Sequence, residues 1–207
     1  MEYTDELDAM VRAMLTSPEG YPWTLQGFGM LRCDLVGREY RLHVWDHRFR
    51  VDNVSDIHDH PWDLESLVMS GRITNVVWEQ DLPSYQREGN DYRFKYLGVE
   101  MTPGPVTGDE PAERVDSFSF KHPSRTEYGQ GDCYIQDKSI VHSTEFKTGT
   151  VTLVRRTDRQ VRSDGTDRAH VFWPKENGPT RVLAAPVTPA MNQVRTICEV
   201  ALAMWGQ

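Results

Sequence analysis

The segment Ile57-His58-Asp59-His60-Pro61-Trp62-Asp63-Leu64-Glu65 is the richest in ligand chemistry anywhere in the chain. In an extended segment residues two apart face the same side, so His58 and His60 share a face. Two neutral imidazoles placed in this way supply neighbouring ligands to Fe(II), Zn(II), Ni(II) or Mn(II). A lone His-x-His is a weak signal, so the reading needs a third ligand from elsewhere. The stretch from Gly131 to His142 supplies a candidate. A glycine turn leads into a strand at Cys133-Tyr134-Ile135-Gln136, a polar turn follows at Asp137-Lys138-Ser139, and a second strand carries His142. Folded as a hairpin, this stretch brings His142 back to face the first pair. Three histidines from two segments would form a facial triad with open positions, the arrangement that admits water, oxygen or substrate to a metal.

Strand parity nominates the surroundings of that triad. Trp62 falls on the His58/His60 face and is a candidate wall for the chamber and a substrate contact. Tyr134, in the strand before His142, is a candidate catalytic phenol. Arg155 and Arg156 end a strand just after His142, so one of them faces inward. A guanidinium there would suit a carboxylate-bearing substrate, with Arg155 read as substrate-binding and Arg156 as catalytic. Cys133 has the parity opposite to Tyr134 and is read as a buried structural thiol. His43, His47, His122 and His170 are read as ordinary surface or hydrogen-bonded histidines. The chain contains no G-x-G-x-x-G, no P-loop and no G-x-S-x-G, so nucleotide-binding and serine-hydrolase readings have no support.

The elements that must position these groups are mostly strands. Alternation marks Tyr40–Trp45, Ile73–Trp78, Arg114–Phe120, Ile140–Phe146, Thr150–Val154 and Ala169–Trp173. Lys147-Thr148-Gly149 reads as a short hairpin loop joining two of them. Many short strands punctuated by Gly and Pro argue for a β-sandwich or barrel rather than a parallel α/β sheet. An extra hairpin is expected around Gln80–Gly98, a polar loop at Met101–Glu113 and an exposed charged stretch at Arg159–Arg168. A helix is expected at each end. Thr4 caps the first, Asp5 and Glu6 open it, Leu7, Met10, Val11, Met14 and Leu15 form its stripe, and Ser17-Pro18 ends it. The last begins at Thr188-Pro189, with proline in the first helical position, and carries a stripe from Met191 to Trp205.

Composition narrows the class. The 207 residues carry 23 Lys and Arg against 31 Asp and Glu, a formal net charge of −8. Without a basic run, that balance argues against nucleic acid and anionic membranes as partners. No stretch reaches the roughly 18 apolar residues of a membrane span, and the acidic Met1–Glu6 lacks the features of a signal peptide. Three widely spaced cysteines, Cys33, Cys133 and Cys198, with no CxxC, fit reduced thiols in a cytoplasmic protein.

With these residues in hand, the chain resembles the cupin superfamily over roughly residues 40–156. His58, His60 and Glu65 stand at the spacing of the first cupin motif, G-x5-H-x-H-x(3,4)-E-x6-G, and Gly131 and His142 at that of the second, G-x5-P-x-G-x2-H-x3-N. Asp52 replaces the opening glycine, Gly71 comes one residue early after Glu65, and Asp137, Ser139 and Phe146 replace Pro, Gly and Asn. The resemblance implies a jelly-roll β-barrel spanning 23–160, flanked by a helical arm at 1–22 and an extension at 161–207 ending in a helix. It implies His58, His60 and His142 as metal ligands with Glu65 as a fourth, Fe(II) ahead of Zn(II), Mn(II) or Ni(II), and a homodimer formed through sheet edges. The function expected is a non-haem Fe(II) dioxygenase acting with O2 on a small polar or aromatic metabolite. Two alternatives stay open: a non-catalytic cupin that binds or senses a small ligand, and a redox-silent Zn(II) or Mn(II) isomerase or lyase.

Overall fold

A computed structural model of the chain describes residues 1–35, 39–51, 56–80, 94–101, 113–138, 140–157, 169–174 and 187–206. Residues 102–112 of the loop expected at Met101–Glu113, the charged stretch at 159–168 and the tip of the hairpin expected around Gln80–Gly98 lie outside these residues, as do Asp52 and Ser139, while Met101 and Glu113 themselves end and begin strands. Helix α1 (Asp5–Thr16) precedes strands β1 (Trp23–Gln26), β2 (Phe28–Leu35), β3 (Tyr40–Arg50), β4 (Asp63–Ser70), β5 (Arg72–Trp78) and β6 (Phe94–Met101). Strands β7 (Glu113–Phe120), β8 (Ser124–Gly129), β9 (Cys133–Gln136), β10 (Val141–Phe146), β11 (Val151–Thr157) and β12 (Ala169–Pro174) follow, and helix α2 (Met191–Met204) comes last. The protein is therefore mainly β, with antiparallel sheets and a helix near each end. None of its helices is long and apolar enough to cross a membrane among the described residues.

The strands form a six-stranded sheet in the order β1-β2-β3-β11-β4-β9 and two three-stranded sheets, β10-β5-β8 and β12-β6-β7. Hydrogen bonding does not close them into one barrel among the described residues. The turn positions read from the sequence are turns, but two of the expected hairpins are not hairpins. β9 pairs with β4, β10 with β5, and β11 with β3 and β4. The connections β9–β10 and β10–β11 therefore pass from one sheet to the other, as do β4–β5 at Gly71 and β8–β9 at Gly131. Short glycine and polar turns bend the chain equally well into a ladder or around a sandwich corner, and it is burial of both apolar faces that selects the corner.

The six-stranded sheet has two differently used faces. Leu31, Cys33, Leu42, Val44, Leu67, Met69, Val151 and Leu153 pack under the two helices against Val11, Leu15, Val194, Ile197, Cys198 and Ala201. Burying an aliphatic side chain of this size is worth about 1.5–3 kcal/mol relative to exposure, so this face carries much of the fold's stability. The alternating residues on the opposite face, among them Met30, Trp45 and Val68, meet Ile73 and Phe146 of the β10-β5-β8 sheet. The candidate ligands belong to this inter-sheet space.

The helix termini agree with the sequence at one end and depart from it at the other. Thr4 Oγ1 accepts from the Leu7 N–H at 3.2 Å, and Asp5, Glu6 and Asp8 occupy the first turn of α1. Met10, however, is 44% exposed and is not part of the buried stripe. Helix α2 starts at Met191 rather than at Pro189. Ala190 caps it in an extended conformation, and the Gln193 side chain reaches back to accept the Ala190 N–H at 3.1 Å.

Candidate metal centre

His58 and His142 are brought together by the backbone before their side chains matter. They form an antiparallel bridge in which each residue's N–H donates to the other's carbonyl at 2.8 Å. A pair that exchanges both hydrogen bonds stands directly opposite, so the two imidazoles rise on the same face. His60, two residues on, joins them: its ring centroid lies 4.7 Å from that of His58 and 5.2 Å from that of His142. One ring nitrogen from each of the three lies within 4.8 Å of the others. The Nε2 atoms of His60 and His142 are 3.1 Å apart. Ligands about 2.0–2.1 Å from one ion stand about 3.0–3.4 Å from each other, so this edge already has the length of a coordination polyhedron.

The chemistry of the donor set fits a metal as well as its spacing does. His142 Nδ1 lies 3.0 Å from Asn75 Oδ1, an acceptor, so Nδ1 carries the proton and Nε2 keeps its lone pair. His58 Nδ1 lies 2.9 Å from the carbonyl of Asp56, with the same consequence. Burial is the leading cause that depresses the pKa of all three histidines, and it takes His60 and His142 well below the ordinary value. For His60 the neighbouring His58 and His142 add to the depression. Three neutral imidazoles that converge nitrogen to nitrogen are held as ligands are held. Asn75 is anchored in turn, its Nδ2 donating to Gln136 Oε1 at 2.9 Å.

Glu65 does not join the three. On β4, Leu64, Ser66 and Val68 face the inter-sheet space, whereas Glu65 points with Leu67 and Met69 to the helix-covered side. There its carboxylate pairs with Arg155 and with the amino group of Met1. The one-residue discrepancy between Glu65 and Gly71 corresponds to this flip, since a shift of one residue reverses the face. Arg155 shares that side, so it too is removed from the space holding the histidines. Arg156 has the inward parity, and its guanidinium lies 5.4 Å from the centre of the Trp62 ring.

Trp62 is buried and its ring stacks on His60 at 5.2 Å. Tyr134 faces the same space, packing against the cluster of Trp62, Leu64 and Val154 and stacking on Tyr128 at 4.5 Å. Burial pushes its phenol up to about 12, so it is a proton-bearing group at neutral pH. Cys133 is exposed rather than buried. It has the parity expected, but β9 is the edge strand of its sheet, and its outward face is open. Cys33 and Cys198 are buried thiols, raised by burial to about 11 and about 12.

Several residues of the site were not singled out in the sequence. Asn75 lies in the same-face row Ile73-Asn75-Val77, and a polar residue amid an apolar inward row is the signal that could have found it. His43 is neither a surface group nor hydrogen-bonded at Nε2, which is buried without a partner among the described residues. It lies edge-on to Trp45 on the inward face of β3, beside Arg41. Arg32, Asp34 and Arg41 share this inward parity, and strand alternation alone could have placed them. Of the remaining histidines, His47 stacks on Phe146 and meets the Phe146 carbonyl at 2.7 Å, and the side chain of His170 lies outside the described residues.

No protein-family model matches the chain, and no curated protein matches it in sequence. The likeness to cupins therefore rests on the motif residues themselves.

Proposed function

We propose that the protein is a metal-dependent oxidoreductase of cupin type, a non-haem Fe(II) dioxygenase that oxidises a small polar or aromatic metabolite. The observation that carries this reading is the convergence of His58, His60 and His142 in a space between two sheets, all three with depressed pKa values, His58 and His142 oriented by hydrogen bonds and His60 by stacking on Trp62. Their two-motif spacing and the inter-sheet crossings are what a jelly-roll arrangement of this chain would require. Iron held by three neutral imidazoles would supply activation of dioxygen, because no ligand charge is spent on the ion and positions stay open for substrate and oxygen.

The chain's own residues contribute the surroundings. Trp62 covers one face of the His60 ring. Asn75 fixes the His142 tautomer, and the Asp56 carbonyl fixes that of His58. Tyr134 keeps its proton at neutral pH and packs against the Trp62 cluster beside the histidines. Arg156 brings positive charge to the same indole that covers His60.

Elemental analysis of protein purified without a metal-affinity tag tests the reading, with a His58→Ala/His142→Ala variant beside it. Near-stoichiometric iron in the parent, lost in the variant, is the expected result, followed by oxygen consumption with candidate metabolites. Zinc or manganese in place of iron would replace the dioxygenase with a Lewis-acid isomerase or lyase. No metal after reconstitution would overturn the metal centre and leave a binding module.

A further inference from the structure

The inward face of the six-stranded sheet changes character along its length. At one end it is apolar, with Met30, Trp45 and Val68. Toward the other end it bears Arg32 and Asp34 on β2, Arg41 on β3 and Arg156 on β11. The register sets Asp34 opposite Arg41 and Arg32 opposite His43. Asp34 Oδ1 lies 2.8 Å from Arg41 Nε and 3.8 Å from Arg32 Nε. The guanidinium groups of Arg41 and Arg156 lie 5.2 and 5.4 Å from the centre of the Trp62 ring, whose indole stacks on His60. The guanidinium groups of Arg41 and Arg156 thus stand one indole away from the candidate metal ligands, and Arg32 adjoins them across Asp34.

Such crowding has an electrostatic cost. Burial first, and then the neighbouring charges of Arg32 and Arg156, push Arg41 down to about 9 despite its bond to Asp34. A cluster of like charges withdrawn from water is stabilised most effectively by an anion that accepts from several of them at once. Guanidinium forks match the planar or tetrahedral geometry of an oxyanion, and the indole face beside them fits the apolar part of the molecule carrying it.

We propose that Arg32, Arg41 and Arg156 form an oxyanion-binding subsite that receives the carboxylate or phosphate end of the substrate, with Trp62 spanning from it to the histidine cluster. The inference deepens the proposed oxidoreductase by naming its substrate class, a small anionic metabolite. It rests on that reading only for what happens at the far end of the molecule.

Calorimetric titration of the full chain with inorganic phosphate, and separately with acetate, at an ionic strength held constant with chloride, tests the subsite. Saturable binding of phosphate assigns a phosphate end, saturable binding of acetate a carboxylate end, and either supports the proposal. Binding of neither above the chloride background overturns it. Arg156→Gln is expected to weaken binding about tenfold or more, and Arg41→Lys to weaken it less, because charge survives while the fork is lost. Retained affinity in Arg156→Gln, with folding confirmed by circular dichroism, would sink the assignment. Arg125→Gln, which removes an exposed arginine paired with Glu145, is expected to bind as the parent does. An equal loss in that variant would mean that the anion answers to overall charge and would also overturn the proposal. The His58→Ala/His142→Ala protein separates the two readings. Anion binding that persists there without metal supports the subsite whatever becomes of the oxidoreductase, and binding lost there in folded protein places the anion on the histidines instead.

Discussion

At the scale of single residues, the candidate centre depends as much on the groups behind the imidazoles as on the imidazoles themselves. A histidine that could present either ring nitrogen is a poor ligand until something fixes its proton, and for His142 that partner is Asn75 Oδ1 at 3.0 Å. Asn75→Ala should therefore lower metal affinity about 10- to 100-fold while leaving the three histidines in place. Asn75→Asp, which keeps an acceptor at the same position, should retain most of the affinity. Competition against a chromogenic chelator measures both. Equal affinity in Asn75→Ala would mean that the tautomer is set elsewhere. The corresponding partner of His58 is a main-chain carbonyl, which no substitution removes, so Asn75 is where this orientation can be tested.

At the scale of elements, the corners between sheets determine whether the two halves of the centre face each other. Gly71 turns β4 into β5 with φ at +76°, and a Cβ there would meet Thr150 Oγ1 at 2.7 Å and Thr150 Cα at 3.1 Å. Thr150 Oγ1 in turn bonds the main chain of Arg72 at both its N–H and its carbonyl. Gly131 turns β8 into β9 at a similar φ of +86°, with open space where a Cβ would stand. Gly131→Ala should then cost only the conformational penalty, about 1 kcal/mol, and Gly71→Ala about 2–3 kcal/mol, because the collision adds to it. Denaturant titration of the two variants checks the order, and equal losses would show that Thr150 yields freely.

At the scale of the whole molecule, the division of labour between the two faces of the large sheet shapes the response to pH. Stability is concentrated under the helices, while the inter-sheet space on the opposite side holds four histidines whose pKa values are depressed, His43 from the large sheet and His58, His60 and His142 from across it, with burial the leading cause for each. Folding keeps these groups neutral at pH values where the unfolded chain would protonate them near 6.5, so below that point the unfolded state binds more protons. The metal-free protein should be at full stability above about pH 6.5 and lose it as the pH falls, by about 1.4 kcal/mol per pH unit for each histidine that stays neutral. Urea midpoints of metal-free protein at neutral and mildly acidic pH measure this directly. A midpoint unchanged between them would show that the cluster takes up protons without cost, which its enclosure argues against.

Much of this protein is legible in the order of its residues alone. Alternation exposed β3, β5, β7, β10, β11 and β12 but not β1, β2, β4, β6 or β8, Thr4 and Ser17-Pro18 bounded the first helix, and His58, His60 and His142 stood out because parity and residue type are local properties of the chain. Parity also placed Trp62 beside His60 and left one of Arg155 and Arg156 facing inward. What local pattern does not contain is which strand pairs with which. Lys147-Thr148-Gly149 has the composition of a hairpin loop, yet it carries the chain across to another sheet, because pairing is decided by which faces bury one another. The same nonlocal choice turned Glu65 toward Arg155 and away from the histidines, left Cys133 on an open edge, and gathered Arg32, Arg41 and Arg156 from three strands onto one wall. The amino-acid sequence by itself determined the ligand types and their spacing. Only the tertiary structure decided which side of a sheet each residue occupies and what stands across from it, since those depend on contacts between segments far apart in the chain.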